Sequence, residues 1–232
     1  MLLLQPKAIT LDLDDTLWPV APAIRRAEAK TSDWFRAHAP EVLRQFDAAR
    51  RASLREAIVS AHPDHAHDLG WLRRQQLKRM LEESGHDPVR ADEVFEVFIK
   101  ARQDVQFYPD VLSALARLAA RFPIAAVSNG NADLQRIGLD AFFTATVSAS
   151  DYGAAKPDPG IYHEACRRLG VAPADVLHVG DDPHTDVIGA QQAGLHAAWI
   201  NRKGLPWTAD STPPALVVRD LAALVDRLLS GE

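Results

Sequence analysis

The chain has 232 residues, 47% hydrophobic and 25% charged, with a formal net charge of −5. Such a chain can bury a large core, as one domain or as a core with an insertion, and its acidic balance argues against a nucleic-acid or anionic-membrane binder. No apolar run reaches the roughly 20 residues of a membrane helix, and Cys166 stands alone, so neither a disulfide framework nor a cysteine metal cluster is available. The apolar Met1-Leu2-Leu3-Leu4 gives way at once to Gln5-Pro6-Lys7, too short for a signal peptide. A cytoplasmic protein is expected, monomeric or homodimeric, with no nucleic-acid or membrane partner.

In chain order, the first element is the run from Lys7 to Leu13, short and partly β-branched, which reads as a buried strand. It leads into Asp12-Leu13-Asp14-Asp15-Thr16. Side chains two apart on extended backbone point the same way, so Asp12 and Asp14 can share one pocket. Two carboxylates so placed repel, and a cation or a shared proton is needed to hold them. Asp15 reads as a turn residue bonded to local backbone.

Pro19 to Asp104 is rich in Ala, Arg, Glu and Leu and contains no convincing strand. Helices are expected at Ala23–His38, Pro40–Ala61, Leu69–Ser84 and Val89–Gln103, the pattern of an inserted helical cap. The expected division is 1–18 with 105–232 as an α/β core, and 19–104 as the cap. His62-Pro63-Asp64-His65-Ala66-His67-Asp68 lacks the i, i+4 histidine spacing of a zinc helix and reads as an exposed loop. Trp34, Phe35, Trp71, Phe95 and Phe98 are expected in the cap core. Trp18, at the exit from the acidic loop, is the better candidate to stack on a ring ligand. Arg73, Arg74, Lys78 and Arg79 are expected on an exposed helical face.

Past the cap, apolar runs at Ile124–Asn129, Val176–Asp181 and Ala197–Asn201 each end in a polar residue, as strands of a parallel sheet covered on both faces do. Ala145–Ala149 is a weaker strand, and Leu216–Val218 precedes a terminal helix. Helices are expected at Val111–Arg121, Pro159–Leu169 and Thr185–Ala193, with Gly194 just past the last. The alternation gives a doubly wound α/β core.

In such sheets ligands bind beyond the carboxyl ends of the strands. The residues there are Asp12, Asp14 and Thr16, then Ser128 and Asn129, then Asp181, Asp182 and Asp186. Lys156 stands in a loop just before a helix. Hard carboxylate oxygens suit Mg²⁺, and Ser, Lys and main-chain amides near a helix start suit a phosphoryl group. Asp182 either ligates metal or caps the helix that starts near His184.

Asp12-Leu13-Asp14-Asp15-Thr16, Ser128-Asn129, Lys156 and Gly180-Asp181-Asp182-Pro183-His184-Thr185-Asp186 together resemble the four ordered motifs of the haloacid dehalogenase superfamily. The likeness spans the whole chain, because the helical block falls where members with an α-helical cap carry that insertion. The resemblance implies a Mg²⁺-dependent phosphatase acting on a small phosphate ester. Asp12 would be the nucleophile and Asp14 the acid and base. Ser128, Asn129 and Thr16 would meet the phosphate, and Lys156 would neutralise charge. Asp12, Asp14 through its carbonyl, and Asp181 would hold the metal, with Asp182 or Asp186 as a further acid. An acid at position 14 favours phosphate-ester hydrolysis over carbon–halogen cleavage, since the dehalogenases of the family lack it. Ser128-Asn129-Gly130-Asn131-Ala132 and Ala198-Trp199-Ile200 resemble the branch of bacterial phosphatases acting on flavin mononucleotide and on the phosphorylated ribitylaminouracil intermediate of riboflavin synthesis. Other readings are another metabolite phosphatase, a 2-haloacid dehalogenase, a receiver-type domain and a non-catalytic phospho-ligand binder.

Overall fold

The computed structural model describes residues 5–214 and 216–229, so the apolar start at positions 1–4 lies outside the described residues. The chain divides into two compact units, one formed by residues 1–19 and 106–232, the other by Val20–Val105.

The first unit is built on six parallel strands, β1 (Ala8–Leu11), β2 (Ile124–Ser128), β3 (Ala145–Ser148), β4 (Val176–Gly180), β5 (His196–Ile200) and β6 (Leu216–Val218), in the order β3-β2-β1-β4-β5-β6. β1, β2 and β4 are buried at every position, which explains their largely apolar composition: neither face meets water. The chain reverses its direction of travel across the sheet between β1 and β4, so the crevice beyond the carboxyl ends of these two strands is where this topology places a ligand. Thr10 pairs with His178 across that junction, which sets the register.

The second unit is all helical: α1 (Val20–His38), α2 (Pro40–Gln45), α3 (Ala48–Ala61), α4 (Leu69–Glu83) and α5 (Ala91–Arg102). The helix expected over Pro40–Ala61 is two helices. Phe46 ends the first, and Asp47 caps the second by accepting the Arg50 N–H at 2.8 Å, an aspartate being worth more as such a cap than inside a helix. Trp34, Phe35, Phe46, Leu77, Met80, Val94 and Phe95 form its core. Phe98 is buried as well, whereas Trp71 is half-buried and stacks on His65 with ring centroids 4.1 Å apart. Arg73 and Arg74 are not a solvated face. Their guanidinium carbons lie 3.9 Å over Phe98 and 3.7 Å over Phe95, so the two arginines lid the aromatic core with their flat faces. The His62–Asp68 segment is mostly exposed and contains one 3₁₀ turn, Pro63–His65.

Back in the first unit, α6 (Val111–Ala119) buries Val111, Ala114, Leu115 and Leu118, one stripe at helical spacing. Two single-turn helices, α7 (Leu134–Ile137) and α8 (Ala149–Tyr152), flank β3. α9 (Pro159–Leu169) has a start and stop written in sequence: Asp158 accepts the Gly160 N–H, Pro159 opens the helix, and Gly170 closes it in the left-handed conformation. The helix expected over Thr185–Ala193 starts earlier and in another form. Pro183–Ile188 is a π-helical turn, and only Gly189–Gln192 (α10) is α-helical, before the terminal α11 (Leu221–Leu229). Among the described residues no helix is long and apolar enough to cross a membrane.

Candidate active site

Alternation along β1 puts Ala8, Thr10 and Asp12 on one face of the sheet, with Ile9, Leu11 and Leu13 on the other. Asp12 is the first residue past β1, 7% exposed, and its N–H still donates to Val179 at the end of β4. Its carboxylate is gripped from two sides. Lys156 Nζ donates to Oδ1 at 2.6 Å, and Thr16 Oγ1 donates to Oδ2 at 2.9 Å while lying 3.3 Å from Asp181 Oδ1.

The acidic loop folds tightly. Asp15 is in the left-handed region at φ 60°, a conformation aspartate tolerates better than most side chains, and its N–H donates to the Trp18 carbonyl at 2.7 Å. This turn brings the Trp18 indole back to Asp14, with Nε1 2.8 Å from Oδ1. Trp18 is fully buried and packs against Phe107, so its ring is not available to stack on a ligand, contrary to the sequence expectation. Arg202 fastens the far side of the loop: it donates to the Thr16 carbonyl at 2.9 Å and forms a two-pronged pair with Asp110 at 2.9 and 3.0 Å.

Lys156 is 4% exposed and bridges two strands' worth of acids, its Nζ being 2.7 Å from Asp186 Oδ1 as well as 2.6 Å from Asp12 Oδ1. Asn129 fixes the Lys156 backbone in both directions, Nδ2 donating to its carbonyl at 2.9 Å and Oδ1 accepting its N–H at 2.7 Å. Buried Ser128 accepts the Gly130 N–H at 3.0 Å. Asp182 is a helix cap, since its Oδ1 accepts the N–H groups of His184 and Thr185 at 2.8 and 2.7 Å. Asp186, one turn on, points inward. It takes Lys156, the Asp182 N–H at 2.9 Å, and His178 Nε2 at 3.2 Å. Gly180 makes the space, for a Cβ there would stand 2.2 Å from the Asp186 carboxyl carbon.

Burial would lower the Lys156 pKa, but Asp12 and Asp186 overcome it and hold the ammonium charged. One ammonium cannot neutralise two buried carboxylates. Asp186, with Lys156 and His178 outweighing its burial, is held well below the usual carboxylate range. Asp12 is pushed up to about 8 by burial and by the Asp186 and Asp181 charges, against the pull of Lys156. Asp181 is raised to about 7 by burial and the neighbouring acids. The pocket is therefore short of positive charge. Asp12, Asp181 and Asp186 each offer an oxygen within 4.8 Å of the others. Asp186 is the most fully engaged of the three, taking Lys156, His178 and the Asp182 N–H. Asp12 shares its oxygens with Lys156 and Thr16, and the Asp181 carboxylate accepts only from Thr16 among the described residues. Asp12 and Asp181 are therefore the more open donors for a cation, and an all-oxygen set suits a hard divalent ion.

Thr10 and His178 are site residues that strand-end reasoning misses. Both are fully buried, Thr10 Oγ1 lies 2.9 Å from His178 Nδ1, and Tyr162 stands edge-on to the imidazole at a centroid distance of 5.1 Å. The available signal was a histidine inside an otherwise apolar strand.

A parallel sheet in this order, with an aspartate after β1 clamped by a lysine and an acid cluster after β4, defines a class of hydrolase. The family model for haloacid dehalogenase-like hydrolases matches residues 6–194, and the chain belongs to that family. Among its relatives is the 5-amino-6-(5-phospho-D-ribitylamino)uracil phosphatase of Escherichia coli, 33% identical over 224 residues and aligned over 94% of either chain. The phosphoserine phosphatase of Thermus thermophilus is 31% identical, with 89% of this chain and 93% of that one aligned. A solved structure described as a 2-haloacid dehalogenase from Pseudomonas syringae pv. Tomato DC3000 superposes with a TM-score of 0.92 at 39% identity, covering 98% of this chain and all of the other.

Proposed function

We propose that this hydrolase cleaves a small phosphomonoester in two steps, through an acyl phosphate formed on the Asp12 carboxylate. The observation that carries this is the pair of acids on one turn: Asp12 fixed by Lys156 and Thr16, and Asp14 held two residues on by Trp18. Asp12 attacks phosphorus as the carboxylate, the bond to the ester oxygen breaks, and Asp14 gives that oxygen its proton. The ionised Asp14 then takes a proton from a water, whose oxygen attacks the same phosphorus and releases phosphate and free Asp12. Lys156 offsets charge on the nucleophile, while Ser128 and the main-chain amides after it receive phosphoryl oxygens. Mg²⁺ in our reading would be held by Asp12, Asp181 and the Asp14 carbonyl, supplying charge neutralisation at the phosphoryl group.

A halide leaves without a proton, whereas an alkoxide does not, so Asp14 favours ester hydrolysis over the dehalogenation named for the Pseudomonas structure. The relative in Escherichia coli supports 5-amino-6-(5-phospho-D-ribitylamino)uracil as substrate, with flavin mononucleotide resting on the motif resemblance; the Thermus relative supports phosphoserine as the second reading. We take the Val20–Val105 unit as the cap that chooses between them, since in such enzymes specificity sits outside the shared chemistry. Phosphate release from flavin mononucleotide, the ribitylaminouracil phosphate, phosphoserine and sugar phosphates, with and without Mg²⁺, tests the reading. Halide release from a 2-haloacid without turnover of any ester would overturn it; a preference for another ester would replace only the substrate.

A further inference from the structure

The helical unit contains a cavity of about 620 Å³, within the size range of small-molecule sites. Its floor is apolar, formed by buried Phe35, Phe46, Leu77 and Met80. Its wall is cationic. Arg51 and Arg55 lie one turn apart on α3 and so share a face, and Arg73 enters from α4.

The acids beside them are already committed. Glu28 pairs with Arg73 at 2.6 Å, and Asp47 caps α3 through the Arg50 N–H at 2.8 Å. Arg51 gives its Nε–H to the Phe46 carbonyl at 2.9 Å and, among the described residues, has no carboxylate partner. Among the described residues the Arg55 side chain has neither hydrogen bond nor ion pair, although it is half-buried. Its burial and the Arg73 charge work against its protonated form and outweigh the support of the Glu28 charge. A guanidinium stays charged in a protein, so leaving one half-desolvated beside another cation costs free energy that an anion would recover. Guanidinium is also the side chain best shaped to hold a two-oxygen head group.

We propose that this cavity binds a small organic anion: one anionic head held by Arg51 and Arg55, and an apolar body lying on Phe35 and Leu77. It is built entirely within the helical unit and shares no residue with the Asp12 site, so it stands or falls apart from the phosphatase reading.

Calorimetric titration of the full chain with 1-naphthoate, 1-naphthylphosphonate and neutral 1-naphthamide tests it. The two anions are expected to bind one per chain and the amide about ten-fold or more weaker, the factor a charge-assisted contact carries. Arg55→Gln should abolish that difference while leaving the amide unchanged. Ala52→Trp, which places an indole at an exposed cavity-lining position, should block all three probes with the fold intact by circular dichroism. Comparing the two anions decides between a carboxylate and a phosphonate-like head. The proposal is overturned if no probe binds, if Arg55→Gln leaves anion binding unchanged, or if inorganic phosphate with Mg²⁺ displaces the anions from wild type and Arg55→Gln alike, which would put them at Asp12. Self-association on sedimentation that Ala52→Trp disrupts, without probe binding, would equally overturn it in favour of a second copy of the chain.

Discussion

His178 Nε2 lies 3.2 Å from Asp186 Oδ1, while its Nδ1 lies 2.9 Å from the Thr10 hydroxyl. A carboxylate only accepts, so a neutral imidazole must donate from Nε2 and accept the Thr10 proton at Nδ1. Burial lowers the His178 pKa, against the pull of Asp186, and so keeps the ring neutral. The chain Thr10–His178–Asp186–Lys156 thus ends on Asp12, and His178 positions Lys156 without touching substrate. His178→Leu is expected to cut kcat by about ten-fold or more, as losses behind a ligand typically do, with KM little changed. His178→Gln, which can still donate, should recover part of it. A rise in KM alongside the fall in kcat on steady-state kinetics would point to general loosening instead.

Asp12→Asn keeps the shape and removes the nucleophilic charge. Phosphate release should fall by at least about a thousand-fold, the scale seen when a nucleophile is removed, with the circular dichroism spectrum unchanged. In kcat/KM, which reports the first step, Asp14→Asn should slow esters of poorly acidic alcohols far more than aryl phosphates, whose leaving groups need no proton. Equal losses across such a series would remove Asp14 as the acid.

Gly180 faces Asp186 so closely that an added methyl must push the carboxyl aside. Gly180→Ala is expected to destabilise the fold by about 1–3 kcal/mol, the usual cost of overpacking, read from the urea midpoint. Turnover should drop as well, because Lys156 loses its second acid.

The Asp110–Arg202 pair holds the loop that carries Thr16. Burial alone would raise the Asp110 pKa; the hydrogen bonds from Arg202 and the Leu221 N–H outweigh it and leave the carboxyl below its ordinary value. A carboxyl lowered by folding stabilises the protein above the unfolded pKa near 4, and that contribution is lost as pH falls through the folded value. Asp110→Asn should therefore lower stability by about 1–3 kcal/mol at pH 7. The gap from wild type should close on acidification below pH 4, as chemical denaturation across pH would show.

Chelation should abolish turnover and Mg²⁺ restore it. Asp181→Asn should raise the Mg²⁺ concentration needed for half-maximal rate, because it removes one of the two carboxylates more open to a cation. Full activity in excess chelator would exclude the metal from the reaction.

The sheet was legible because buried parallel strands are apolar until the backbone leaves the sheet, and Asp12, Ser128 and Asp181 mark those exits. What stayed open was decided by contacts distant in sequence. Asp182 and Asp186 are equivalent as letters; only the fold turns one to its own helix and the other to Lys156. Arg73 and Arg74 looked solvated because helical periodicity cannot show a guanidinium lying flat on an aromatic ring. His178 was invisible to strand-end reasoning because it sits inside the strand.

The Thr10–His178 rung has one more consequence. β1 is buried on both sides, and its three residues other than Thr10 are apolar, so hydrophobicity alone would accept a neighbouring alignment nearly as well. Sliding β1 by a single residue would strand a hydroxyl and an imidazole in hydrocarbon and turn Asp12 to the opposite side of the sheet. The alignment that silences the two buried polar groups is the one that delivers the carboxylate to Lys156. A misthreaded sheet would thus forfeit stability and chemistry together, so that selection for either one guards the other.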